Sequence, residues 1–166
     1  MRGRRIQIGR DKLNIRLANK DDVEELTNLR ILQQHEDWET DYFDYDNNFY
    51  HRTFNAMTSF MSAPHGGVIF VGEIDGYIIA TCGLQLINML PQCNDDGKYG
   101  FIFNVFTKKE YRNRGIQSIL IGKVIDYAIK NNISEIKLET DNDIAIKLYE
   151  KQGFKFDTLT MIKEMR

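Results

Sequence analysis

A chain of 166 residues, 42% of them hydrophobic and 28% charged, fits a single domain with a packed core and a soluble surface, residues 1–12 forming a basic lead-in. A formal net charge of -2, from 22 basic and 24 acidic residues, lacks the basic excess of a protein held on nucleic acid by counterion release. No apolar run reaches the roughly 18 residues of a membrane helix, and two cysteines with three scattered histidines offer no metal-binding spacing, so Cys82 and Cys93 read as free thiols and the chain as cytoplasmic.

Met1 to Lys12 carries Arg2, Arg4, Arg5, Arg10 and Lys12 without the apolar segment of a secretory signal. It reads as a frayed or strand-like lead-in, with a presequence or a nucleic-acid arm as the alternatives. Asn14 to Ala18 alternates as a first strand. Asn19, three residues before Asp22, starts a helix whose apolar stripe is Val23, Leu26, Leu29 and Leu32. Phe49 to Met61 predicts a second helix, closed by Pro64 and Gly66-Gly67. Val68 to Glu73 and Tyr77 to Ile87 form a hairpin around Asp75-Gly76. After a loop at 91–97, Tyr99 to Thr107 predicts a strand with Phe101, Phe103, Val105 and Thr107 on one face and Ile102, Asn104 and Phe106 on the other. A helix over Arg114 to Asn131 follows, then a strand over Ile133 to Thr140, a short helix over Ile144 to Lys151 ended by Gly153, and closing strands within Phe154 to Lys163. Alternating strands and helices indicate an α/β or α+β fold.

The stretch Phe103 to Gln117 runs from strand through a basic turn and a glycine into a helix. A helix start leaves its first N–H groups without intrahelical partners and adds about half a positive charge. With Arg112, Arg114 and Gly115, this is either a phosphate or pyrophosphate site or an ordinary surface turn with solvated arginines. It is neither a Walker loop nor a dinucleotide-binding fingerprint. A second stretch, Ala145 to Phe154, places Tyr149 on a short helix four residues before a glycine turn; by itself that reads as a core tyrosine.

Taken together, Arg112-Asn113-Arg114-Gly115-Ile116-Gln117 and Leu148-Tyr149-Glu150-Lys151-Gln152-Gly153-Phe154 resemble the motifs of the GCN5-related N-acetyltransferase (GNAT) family. The resemblance covers nearly the whole chain. It implies a mixed, mostly antiparallel sheet of six or seven strands flanked by helices, the acyl-CoA N-acyltransferase fold, in which the family's fourth and fifth strands splay around the cosubstrate. It also implies acetyl-CoA as the cosubstrate, its pyrophosphate on backbone N–H groups of Arg112, Asn113, Arg114, Gly115, Ile116 and Gln117. The pantetheine arm would pair with the backbone of Asn104, Val105 and Phe106, with an N–H at or near Phe106 polarising the thioester carbonyl. Asn142 would hold the arm, and Tyr149 would protonate the departing thiolate. One departure stands out: Gln117 occupies a position that is usually Gly or Ala, so its side chain either crowds the pyrophosphate or turns away and donates a hydrogen bond.

An alkyl amine with a pKa near 10.4 is unprotonated in only about one molecule in 2,500 at pH 7, a barrier of about 4.6 kcal/mol. A general base removes part of that cost. Glu139 is the first candidate, with Asp141, Glu73 and His35 behind it. The segment His35 to Tyr50 carries six acidic residues, no lysine or arginine, and six aromatics. Trp38, Asp41 and Asp44 are its candidate contacts to a cationic acceptor, against the alternative of a solvated acidic loop. The reading is an N-acetyltransferase acting on a small cationic amine by direct attack in a ternary complex, without a metal and without nucleic-acid or membrane partners. A homodimer is compatible with the resemblance. The alternatives are acetylation of a peptide amine or a non-catalytic acyl-CoA-binding module.

Overall fold

The computed structural model describes residues 4–8, 11–38, 47–63, 66–91, 93, 96–157 and 163. Among these residues the sheet has six strands, in spatial order β1 (Arg4–Ile8), β2 (Asp11–Leu17), β3 (Gly67–Ile74), β4 (Tyr77–Asn88), β5 (Lys98–Thr107) and β6 (Glu135–Lys137). Every neighbouring pair is antiparallel except β5 and β6, which run parallel. Within the basic lead-in, Arg4–Ile8 thus forms a strand, β1, pairing with β2 from Arg4↔Ile15 to Ile8↔Asp11.

Helices α1 (Val23–Trp38) and α2 (Asn47–Ser62) cover one face of the sheet; α3 (Ile116–Lys130) and α4 (Asp143–Lys151) cover the other. On the first face Val23, Leu26 and Leu29 of α1 meet Met57 of α2 and Ile69, Val71 and Ile78 of the sheet. On the second, Ile116, Leu120, Ile121, Val124 and Ala128 of α3 pack on Ala80, Cys82 and Leu84. The alternation of β3 divides between the two faces, Ile69 and Val71 inward to one and Val68 and Phe70 to the other. The β3–β4 hairpin turns at Asp75 (φ 50°) and Gly76 (φ 85°), two left-handed residues whose twist matches that of the strands.

The entrance to α1 is set by local hydrogen bonds. Asn19 Oδ1 accepts from the Asp21 N–H at 2.7 Å, and Asp22 Oδ2 accepts from the Asn19 N–H at 2.7 Å. This reciprocal cap closes a single 3₁₀ turn at Lys20–Asp22. Arg16 then clasps three elements together: Nη1 and Nη2 donate to Asp22 at 2.7 and 2.8 Å, and Nε donates to Glu73 at 2.8 Å.

Two expectations need correction, and a third falls largely outside the described residues. The strand expected over Ile133 to Thr140 shortens to Glu135–Lys137, which among the described residues pairs with Tyr99–Phe101; Glu139 lies beyond its end. Residues 154–157 form no strand, and 158–162 lie outside the described residues. The alternation along β5 breaks at Asn104. Phe103 opposes Gly83 and Phe106 opposes Thr81, so β5 spends three steps where β4 spends two. This is a β-bulge with Asn104 in a left-handed conformation (φ 51°). Val105 therefore joins Ile102 on the α3 face, and Phe106 joins Phe103 against α1 and α2.

The Asp22 carboxylate is pushed up by burial, but the Arg16 hydrogen bonds, the Asn19 N–H and the Arg16 charge outweigh this and hold it below its ordinary value of 3.8. A carboxylate whose pKa is lower folded than unfolded contributes its stability in full above the unfolded value and loses it as pH falls through the folded one. Asp22→Ala should cost about 3 kcal/mol at pH 7 in urea denaturation, and the gap to wild type should narrow as the pH is lowered through and below 3.8.

Candidate functional site

Beyond Phe101, β5 has no strand beside it on the β6 side among the described residues, so the sheet opens there. The main-chain carbonyls of this open stretch are held by side chains from three different elements and the turn that follows β5. Thr81 Oγ1 of β4 donates to Asn104 O at 2.8 Å. Gln33 Nε2 of α1 donates to Val105 O at 3.2 Å. Gln117 Nε2 of α3 donates to Phe106 O at 2.6 Å, and also to Thr107 Oγ1 at 2.9 Å and Thr81 O at 3.2 Å. Arg112 Nε donates to Thr107 O at 2.8 Å. Gln117 thus turns inward and donates rather than crowding the turn. A carbonyl oxygen has two lone pairs, so Asn104, Val105 and Phe106 keep acceptor capacity for an extended ligand.

After β5 a 3₁₀ turn at Lys109–Tyr111 leads to Gly115, the N-cap of α3, at φ 75°. No side chain caps this end of α3, so its first N–H groups remain for a ligand. A Cβ built on Gly115 would meet nothing within 4 Å, which leaves open space in front of those donors. Asn113 beside it is also left-handed, at φ 60°. The two arginines are committed elsewhere. Arg112 pairs with Glu36 of α1 and lies 5.5 Å from the Phe106 ring centroid. Arg114 pairs with Asp11 of β2 at 2.8 Å, donates to Glu110 O at 3.0 Å and lies over Tyr111. What the turn offers an anion is chiefly backbone and helix dipole.

Asn142 caps α4, its Oδ1 accepting from the Ile144 and Ala145 N–H groups at 2.9 and 3.1 Å. Tyr149 of α4 is 6% exposed, its ring 5.6 Å from that of Phe154 in an edge-on contact. Burial, with the nearby Cys82 charge adding to it, pushes the phenol above its ordinary value of 10. It therefore keeps its proton through neutral pH. Burial likewise pushes the Cys82 thiol up to about 12, so Cys82 is inert packing.

Among the base candidates, Glu139 and Asp141 are exposed after β6, while His35 is buried in α1. Glu73 is taken by Arg16. Trp38 ends α1, but its side chain, like Asp41 and Asp44 altogether, lies outside the described residues. Sequence reasoning missed Gln33, Thr81, Thr107 and Glu36, which support β5 and its turn through contacts that no local motif marks. It assigned Asn104 for its backbone alone, whereas its side chain is itself conspicuous. Asn104 is 5% exposed, and neither Nδ2 nor Oδ1 has a hydrogen-bond partner among the described residues. A buried amide left so costs about 1–3 kcal/mol.

Comparison with known proteins bears on this arrangement. The sequence profile of the Acetyltransferase (GNAT) family matches residues 23–154. A probable N-acetyltransferase, camello, of Xenopus tropicalis is 33% identical over 88 residues, 52% of this chain, which spans 37% of that relative's length. A crystal structure of a protein described as a predicted acetyltransferase of Clostridium acetobutylicum, with acetyl-CoA, superposes with a TM-score of 0.75 at 24% identity, covering 92% of this chain and 96% of that one. Glucosamine-6-phosphate N-acetyltransferase of Arabidopsis thaliana gives 0.66 at 20% identity, covering 93% and 99%. At these identities the structural likeness establishes the fold.

The Gln117 bonds can be tested directly. Gln117→Ala should lower stability by about 1–3 kcal/mol through loss of its donors. Gln117→Glu, which cannot donate and sets a negative charge against carbonyl oxygens, should cost more than Ala in the same urea titration.

Proposed function

The chain belongs to the acetyltransferase (GNAT) family, and from that premise we propose that it transfers the acetyl group of acetyl-CoA to a primary amine by direct attack in a ternary complex. The observation that carries the reading is the uncapped, left-handed start of α3 at Gly115 lying next to the open edge of β5. The first suits a pyrophosphate; the second suits an extended, amide-bearing arm that adds to a sheet edge.

Acetyl-CoA supplies an activated acyl group. The amine lone pair forms the new C–N bond as the C–S bond breaks, one proton leaves nitrogen and one reaches sulfur, so CoA departs as a thiol. In this chain the N–H groups from Arg112 to Gln117 hold the pyrophosphate, and the β5 backbone from Asn104 to Phe106 aligns the arm. Tyr149 supplies the proton to sulfur, a role favoured by a phenol that stays protonated in a buried site. Glu139, beyond β6 and exposed, takes the proton from nitrogen directly or through water. Asn142 steadies the arm from the α4 side. The acceptor is a small cationic amine, a choice supported by the acidic and aromatic residues from His35 to Tyr50.

A ligand that binds only the folded state at 100 times its Kd adds about 2.7 kcal/mol. Acetyl-CoA at that level should raise the Tm of the wild type by roughly 5–11 °C. In Gly115→Asp, where a carboxylate stands before the same N–H groups, the rise should vanish. No rise in wild type would sink the acetyl-CoA reading. Once thiol release in an amine screen identifies an acceptor, Tyr149→Phe should lower kcat by about 10²-fold or more while KM for acetyl-CoA changes little.

A further inference from the structure

The fold leaves the Asn104 carboxamide without employment. Its main-chain carbonyl is held by Thr81, but the side chain is buried at 5% exposure with both Nδ2 and Oδ1 unpartnered among the described residues. Its backbone is also left-handed, at φ 51°. Strain and an unsatisfied polar group at one residue are what the folded state alone would discard. The register says what surrounds it. Asn104 and Val105 are the two residues of β5 that together face Cys82 of β4. Cys82 shares one apolar cluster with Tyr149, and Val105 packs on that cluster. The carboxamide is therefore carried on the bulge itself, past the end of the β5–β6 pairing, on the stretch that faces the opening.

We propose that the Asn104 side chain is a binding group for the acyl thioester, its Nδ2 donating to the thioester carbonyl oxygen and strengthening that bond as negative charge develops there. This rests on the acetyl-CoA reading. It adds a side-chain donor to the backbone N–H groups of the bulge, and it makes the site sensitive to the acyl group rather than to CoA as a whole. A donor already beside the oxygen when charge appears there aids the reaction, because it is in place before the bond changes. The bulge supplies the fixing, because Thr81, Gln33 and Gln117 hold its carbonyls on three sides.

The test compares acetyl-CoA with CoA, which lacks the carbonyl, by isothermal titration on wild type, Asn104→Gly and Asn104→Asp. Glycine accepts the left-handed backbone and removes the carboxamide; aspartate keeps the shape and removes the donor. Both variants should lose about tenfold in affinity for acetyl-CoA, the 1.4 kcal/mol of one hydrogen bond, and keep their affinity for CoA within about twofold. Without ligand, Asn104→Gly should be no less resistant to urea than wild type. If Asn104→Gly unfolds at lower urea and both variants keep the wild-type preference for acetyl-CoA over CoA, the carboxamide belongs to the fold and the assignment is wrong. Equal losses for acetyl-CoA and CoA would also overturn it, placing the group on the shared arm. A wild type that binds neither ligand overturns the acetyl-CoA reading itself, a result distinct from the other two.

Discussion

Everything that distinguishes this sheet depends on one extra residue in β5. Two residues, Asn104 and Val105, stand against the single Cys82, and the insertion reverses the alternation beyond it. Without it, Phe106 would turn toward α3 and Val105 toward α1, since a one-residue slip sends every later side chain to the other face. The two cores on either side of the sheet are complete only because Phe106 crosses to the first of them. A bulge breaks the ladder and is costly to leave loose. Here four consecutive carbonyls, from Asn104 to Thr107, each accept a side-chain donor, from Thr81, Gln33, Gln117 and Arg112 in turn. The strand is thus fixed along its open edge, which begins beyond Phe101, ahead of the bulge.

The charges around the turn after β5 serve architecture more than attraction. Arg112 joins the end of α1, through Glu36, to the end of β5, through Thr107. Arg114 joins the same turn to β2 through Asp11. Both arginines are about two-fifths exposed, so these pairs add little stability individually. Their effect is positional: they set the spacing between α1, β2 and the start of α3. The anion-binding capacity left over is that of uncapped N–H groups, which are directional and set by the backbone.

What could be read from the sequence was local. The Asn19 and Asp22 cap, the apolar stripe of α1, the Asp75-Gly76 turn and the role of Gly115 all rest on residues within a few positions of one another, where propensity and stereochemistry decide. The bulge rests on bonds spanning 72, 23 and 11 residues, which no window of sequence displays. The strand over Ile133 to Thr140 was misjudged for a related reason. Its apolar residues Ile133, Ile136 and Leu138 do pack on the α3-face cluster, so the pattern was genuine. Pairing with β5 ends at Lys137, opposite Phe101. Hydrophobic patterning reports burial; it does not report whether a neighbouring strand stays close enough to bond. Gln117 combines both cases. Its position in a motif was legible, but its direction was settled by acceptors on β4 and β5.

The distribution of unmet polar groups separates what serves the fold from what serves chemistry. Buried Thr27 donates to Val23 O at 2.7 Å and buried Thr81 to Asn104 O at 2.8 Å, so each hydroxyl spends its proton inside the structure. The Asn104 carboxamide and Gln117 Oε1 have no hydrogen-bond partner among the described residues, although both belong to the bulge and its clamp. A core selected for stability alone would place an apolar side chain at Asn104 or a glycine to suit its backbone. The polar choice is made on the stretch of β5 that has no strand on its β6 side among the described residues, next to the cluster that buries Tyr149. The cost of carrying it is borne by the α3-face core, whose Leu120, Ile121 and Val124 are fully buried. A well-packed layer beneath a distorted strand lets polar groups stand ready without partners, and here those groups gather where the sheet opens.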